Sequence, residues 1–139
     1  MVLVPAWQAT TCPATEPGAA VLVADDDTGF RDLLLEFLNR TGIAAEGFAD
    51  GHTLVRSFAA SRSTCSRIRA VVTDLHMPGL SGLEVLARLR ATDPRLPVVL
   101  MSSFMTPDIR FQAVRLGVSA LVSKPFLLPQ FRETLCALV

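Results

Sequence analysis

Asp74 closes an apolar run, Ala70-Val71-Val72-Thr73, and is followed at once by the turn-rich stretch Leu75-His76-Met77-Pro78-Gly79-Leu80-Ser81-Gly82. A carboxylate at the end of a buried strand and facing a loop is a candidate nucleophile. Burying it unpaired costs several kcal/mol, so a cation or hydrogen-bond donor has to stand beside it. Other apolar runs end in residues of complementary chemistry: Asp25 and Asp26 follow Ala20 to Ala24, Ser102 follows Pro97 to Met101, and Lys124 follows Ala120 to Ser123. Carboxylates converging in one crevice repel one another and raise each other's pKa unless a cation joins them. Hard oxygen ligands suit Mg²⁺ or the similar Mn²⁺, which keeps several waters and accepts one or two carboxylates plus a substrate phosphate. One divalent ion and Lys124 together offset Asp25, Asp26 and Asp74. The set then has the parts for phosphoryl transfer to Asp74, with a metal on the phosphoryl oxygens and Lys124 and Ser102 to take up charge. The product is an aspartyl phosphate, formed mainly by positioning and charge stabilisation. No general acid is evident.

These residues converge only if the elements between them fold in one way. From residue 20 the chain alternates short apolar runs with segments of helical period. Ala20 to Ala24 reads as a buried strand stopped by Asp25-Asp26-Asp27. Phe30, Leu33, Leu34, Phe37 and Leu38 repeat at helical spacing, with Asp27 or Thr28 as cap and Gly42 as stop. Ile43 to Phe48 is a weaker strand that ends blandly, and Thr53 to Ala60 a short helix capped near Asp50. Residues 61 to 67 read as a polar loop. Ile68 to Thr73 is the third strand, and Leu83, Leu86 and Leu89 mark a helix that ends near Asp93-Pro94. Pro97 to Met101 is the fourth strand, Pro107 to Leu116 a helix stopped by Gly117, and Ala120 to Ser123 the fifth strand. Leu128, Phe131, Leu135 and Leu138 give the closing helix its apolar stripe. Strands apolar on both faces and alternating with helices predict an α/β, doubly wound, five-stranded parallel sheet with helices on both faces. In such sheets the ligand crevice lies at the carboxyl ends of the strands.

Four segments, in order, resemble the receiver domain of two-component response regulators: VLVADDD, VVTDLHMPGLSG, PVVLMSS and SKPF. The likeness covers residues 20–139, leaving residues 1–19 as a flexible arm or linker. It implies a flavodoxin-like strand order 2-1-3-4-5. Asp74 is then phosphoacceptor and metal ligand, Asp26 a direct ligand, Asp25 a ligand acting through water, and the His76 backbone carbonyl completes the set. The resemblance also implies that Ser102 moves to the phosphoryl group, that Lys124 pairs with it, and that the Lys124-Pro125 bond is cis. The implied partners are a histidine kinase or phosphotransfer domain as donor and an output protein engaged through the face of helix 4, strand 5 and helix 5. The expected state is a monomer, or a weak dimer formed through the helix 4 to helix 5 face. Leu121 departs from the Tyr or Phe common at its position, so Phe104 and Met105 become the expected apolar reporters of switching. His76 and Phe104 flank the site where they influence the lifetime of the aspartyl phosphate.

Taken singly, the acidic triplet reads as a helix N-terminus favoured by the macrodipole, Asp74 as a loop aspartate and Lys124 as a surface cation. Their joint placement at separate strand ends carries the sharper reading. Thirteen basic residues balance thirteen acidic ones, so no whole-chain field draws nucleic acid or an anionic membrane. The first thirty residues hold no Lys or Arg, and Pro5 interrupts the apolar start Met1 to Trp7, which argues against a signal peptide or spanning helix there and makes the cytoplasm the expected location. Cys12, Cys65 and Cys136 lack any CxxC spacing and fit free thiols. His52 and His76 read as solvated, Arg62, Arg67 and Arg69 as a solvated loop cluster, Phe111 and Val114 as core, and Arg110 as outward-facing. An aspartate-nucleophile phosphatase would carry a second Asp where His76 stands, and a nucleotide or flavin module would need a Gly- or Ser/Thr-rich loop where this chain is acidic. Two contexts fit residues 1–19: a freestanding regulator, favoured by Met1, or a receiver within a hybrid kinase or larger regulator.

Overall fold

Continuous apolar runs in the central strands decide how the layers of this fold assemble. The computed structural model describes residues 19–63 and 67–139; the N-terminal arm up to residue 18, Cys12 and Cys65 lie outside the described residues. The elements are β1 (Ala19–Ala24), α1 (Thr28–Arg40), β2 (Ala45–Phe48), α2 (Gly51–Ser63), β3 (Arg67–Asp74), α3 (Gly82–Thr92), β4 (Val98–Ser102), α4 (Pro107–Arg115), β5 (Ala120–Ser123) and α5 (Leu128–Leu138). The five strands form one parallel sheet in the order β2-β1-β3-β4-β5, the doubly wound order expected.

Successive strand residues point to opposite faces, and each face meets its own helices. Val21 and Val23 of β1 join Val72, Val99 and Met101 in a core closed by Leu34 and Leu38 of α1 and Phe131 and Leu135 of α5. Leu22 and Ala24 join Val71, Val98 and Leu100 against Leu54 and Phe58 of α2, Val85, Leu86 and Leu89 of α3, and Ala113 of α4. Each fully buried Leu or Val contributes about 1.5–3 kcal/mol relative to exposure. Burial on both faces holds for β1 from Val21 onward, for β4, and for β3 from Ala70 onward, whereas the edge strands β2 and β5 are partly exposed along their length. An edge strand has one neighbour instead of two, so less of it is covered.

Local signals set where the helices begin. Asp27 caps α1, its Oδ1 accepting the Phe30 N–H at 3.1 Å. Ser81 and Glu84 form a capping box at the start of α3. Thr106 caps α4, with Pro107 in its first turn. Gly42 and Gly117, at φ 93° and 82°, turn the chain after α1 and α4 in the left-handed region that side chains disfavour.

Three expectations need correcting. Phe111 and Val114 are 64% and 62% exposed rather than core. The face of α4 turned to the sheet carries Ile109, Ala113 and Leu116 at helical spacing, and Phe111 and Val114 fall on the other face with the exposed Arg110. The polar loop expected over residues 61–67 is regular structure at both its ends, since α2 runs to Ser63 and β3 starts at Arg67. Arg62 therefore belongs to a helix, within 4.0 Å of Asp93, while Arg67 and Arg69 belong to a strand, and the three do not share a loop.

Candidate functional site

Parallel strands end on the same side of the sheet, so the residues that close them meet at one edge. Asp25 follows the last residue of β1, Asp74 ends β3, Ser102 ends β4 and Lys124 follows β5. The backbone locks these ends together: the Leu75 N–H donates to Met101 O and the Lys124 N–H to Ser102 O, both at 2.8 Å. Asp25, Asp26 and Asp74 each present one carboxylate oxygen, all within 4.8 Å of one another. Asp25 is fully buried, Asp74 is 8% exposed and Asp26 faces solvent.

Lys124 supplies the countercharge. Its Nζ donates to Asp25 Oδ2 at 2.7 Å and lies 3.4 Å from Asp74 Oδ1. Asp25 also accepts the Asp27 N–H at 2.9 Å on Oδ1, and its carbonyl accepts from Arg31 Nη1. Burial pushes the Asp74 carboxyl above the usual carboxylate range; Lys124 pulls it down and Asp25 pushes it further up. Hard oxygen donors at this spacing, with one of them costly to ionise, suit a small divalent cation that relieves the crowding of like charge.

The remaining residues singled out from the sequence take distinct places. Ser102 is buried, and its Oγ donates to Phe104 O at 2.8 Å while accepting the Phe104 N–H at 2.9 Å. Phe104 itself is 74% exposed. Leu121 is partly buried against the core on the α2, α3 and α4 side, beside Leu100 of β4. His76 is exposed in the loop past Asp74, and His52 is exposed on α2. The Lys124-Pro125 bond is cis.

The site also contains a residue that sequence reasoning assigned only to an apolar stripe. Phe30, in the first turn of α1, places its ring centroid 4.3 Å from Lys124 Nζ. Nothing in the local sequence links the two; at most, its place a helical turn beyond Asp25 and Asp26 puts it near the crevice.

The family model for the response regulator receiver domain matches residues 21–135. The chain belongs to this family. As a receiver domain of two-component systems it has curated relatives such as the transcriptional regulatory protein FixJ of Bradyrhizobium diazoefficiens, 30% identical over 106 residues, covering 76% of this chain and 49% of that protein. The sporulation initiation phosphotransferase F of Bacillus subtilis is 29% identical over 113 residues, covering 81% of this chain and 87% of that one. The receiver domain thus spans about half the length of the first of these relatives and most of the second. Among solved structures, the chemotaxis protein CheY4 of Vibrio cholerae shares the fold with a TM-score of 0.77 at 23% identity, covering 87% of this chain and 98% of that one. The acidic cluster of Asp25, Asp26 and Asp74 fits the Mg²⁺ site of receiver domains. Among the described residues, no helix is long and apolar enough to cross a membrane.

Proposed function

We propose that residues 20–139 form a phosphorylation-activated switch whose acceptor is Asp74, served by a histidine kinase or phosphotransfer domain. The observation that carries this reading is the convergence of Asp25, Asp26 and Asp74 within 4.8 Å around a lysine that touches two of them. An Asp74 oxygen attacks phosphorus, the new O–P bond forms as the donor's N–P bond breaks, and the leaving nitrogen keeps the bonding electrons. Bound Mg²⁺, held by Asp25, Asp26, Asp74 and the His76 carbonyl, would supply charge neutralisation at the phosphoryl oxygens. Lys124 holds a positive charge beside the incoming group, and the Ser102 hydroxyl leaves its bonds to Phe104 to donate to a phosphoryl oxygen. The domain catalyses only its own phosphorylation and dephosphorylation.

Phosphorylation replaces the single charge of the Asp74 carboxylate with about 1.5 to 2 negative charges on the phosphoryl group, a net gain of about one at the strand ends, and biases the loop from Ser102 to Thr106, which leads into α4. The output then passes through the surface of α4, β5 and α5, to a partner protein or to a second copy. The exposed Phe111 and Val114 beside Arg110 support a protein-binding role for that surface.

The test is incubation with phosphoramidate and Mg²⁺, followed by intact-mass measurement and hydroxylamine treatment. One phosphoryl group is gained and then released by hydroxylamine; chelation of the metal prevents the gain. Asp74→Asn gains none. Undiminished labelling of that variant removes Asp74 as acceptor.

A further inference from the structure

The Lys124 ammonium has a neighbour besides the two carboxylates. The Phe30 ring stands 4.3 Å from it, within the range where a ring face attracts a cation through its quadrupole. The lysine side chain is only 15% exposed, so water screens this contact less than it would at an open surface.

Phe30 is held on both sides. Its N–H donates to Asp27 Oδ1, and the Asp27 N–H donates in turn to Asp25 Oδ1, so its backbone hangs from the strand end that carries the acidic cluster. Its ring meets Phe126 edge to face at 5.6 Å and 85°, and Phe126 stacks on Phe131 at 4.9 Å and 19°. Phe131 is 2% exposed in the core. A row of rings therefore runs from the core to the crevice, and Phe126 belongs to the same short segment as Lys124.

The ring does something the carboxylates cannot. Contacts of Lys124 with Asp25 and Asp74 have to be shared or given up when a phosphoryl group enters with its own negative oxygens. A ring face is neutral and takes no part in that exchange, so its attraction persists in every state. A leucine at this position would fill the space without the quadrupole.

We propose that Phe30 is a positioning residue for phosphoryl transfer, its ring holding the Lys124 ammonium where the incoming phosphoryl oxygens meet it. The role rests on the function proposed above for Asp74 and Lys124, and goes beyond it by assigning an aromatic residue of α1 to the chemistry.

The test uses Phe30→Leu, Phe30→Tyr and a series with mono-, di- and trifluorinated phenylalanine at position 30, nearly isosteric with progressively weaker quadrupoles. Without metal or phosphodonor, the ε-methylene protons of Lys124 are shifted upfield by the ring in the wild type and in Phe30→Tyr, and lose the shift in Phe30→Leu. The rate of phosphorylation by phosphoramidate falls about three- to ten-fold in Phe30→Leu. It declines stepwise along the fluorinated series while melting temperature and Mg²⁺ affinity stay constant. One rate throughout that series, or rate losses that follow melting temperature, overturns the role. A wild-type protein that accepts no phosphoryl group overturns the proposed function and this role with it, whereas equal rates in a wild type that is phosphorylated remove this role alone.

Discussion

Lys124 and Asp25 form the tighter ion pair of the crevice: the ammonium is 2.7 Å from Asp25 Oδ2 but 3.4 Å from Asp74 Oδ1. The cation is thereby anchored on the wholly buried carboxylate and only loosely on Asp74. An ammonium bound chiefly to Asp74 would have to be pulled from that oxygen before it could attack. Anchoring on Asp25 keeps the charge close and leaves Asp74 available for the acceptor role proposed for it.

Lys124→Met keeps the bulk of the side chain and removes its charge, leaving Asp25 buried without its cation. Stability in metal-free buffer at neutral pH falls by about 3 kcal/mol, read from urea unfolding. Mg²⁺ restores part of the loss, because a ligand that binds the folded state stabilises it. A change under about 1 kcal/mol would mean that solvent screens the pair.

Asp74 affects stability with a defined sign. Burial raises its folded pKa above the unfolded value, so the folded state holds the proton more tightly. Below the unfolded value of about 3.9 both states are protonated and Asp74 costs nothing. As pH rises from there through the folded pKa, stability is lost, and the loss persists at neutral pH. Asp74→Asn removes the charge, so in metal-free buffer at neutral pH its melting temperature rises by about 2–4 °C. The difference shrinks in acid. Calorimetry showing an equal or lower melting temperature at neutral pH would contradict burial as the dominant cause.

Gly82 lets α3 press against the end of β3. A Cβ there would lie 2.6 Å from Asp74 O and 2.9 Å from Leu75 Cα, both backbone atoms that cannot swing aside. Gly82→Ala lowers stability by about 1–3 kcal/mol and slows phosphorylation by displacing the carboxylate that this backbone carries. Denaturant melts and phosphoramidate rates measured together check both effects. Wild-type stability in the variant would show that the helix shifts at no cost.

The switch is expected in the loop from Ser102 to Thr106 rather than at position 121. Ser102 Oγ is bonded twice to the Phe104 backbone, so freeing it releases the loop that leads into α4. Leu121 is packed beside Leu100 and has no ring to rotate. On addition of beryllofluoride and Mg²⁺, amide shifts are largest at Ser103 to Thr106 and the first turn of α4, and smaller at Leu121. Shifts confined to Leu121, or comparable at both places, would place the switch elsewhere.

The strand ends were legible because short apolar runs break at chemically distinctive residues. Val21 to Ala24 stops at Asp25 and Asp26, Val71 to Thr73 at Asp74, and parallel pairing brings such ends to one edge whatever the connecting helices contain. Caps were legible for a similar reason: Asp27, Gly42 and Gly117 act within one turn of chain. Phe111 and Val114 were misread because apolar identity does not fix helical phase over nine residues; which face of α4 meets the sheet is set by Ile109, Ala113 and Leu116 packing together.

By itself, then, the sequence determined the order of elements, the parallel sheet and the chemical types gathered at its edge, since these follow from local periodicity and from where each run stops. The tertiary structure alone decided that Lys124 is anchored on Asp25, that Ser102 is tied to Phe104, and that Phe30 lies beside the ammonium. Those contacts depend on how helices rotate and settle on the sheet, a balance of packing across both faces that no short stretch of chain contains.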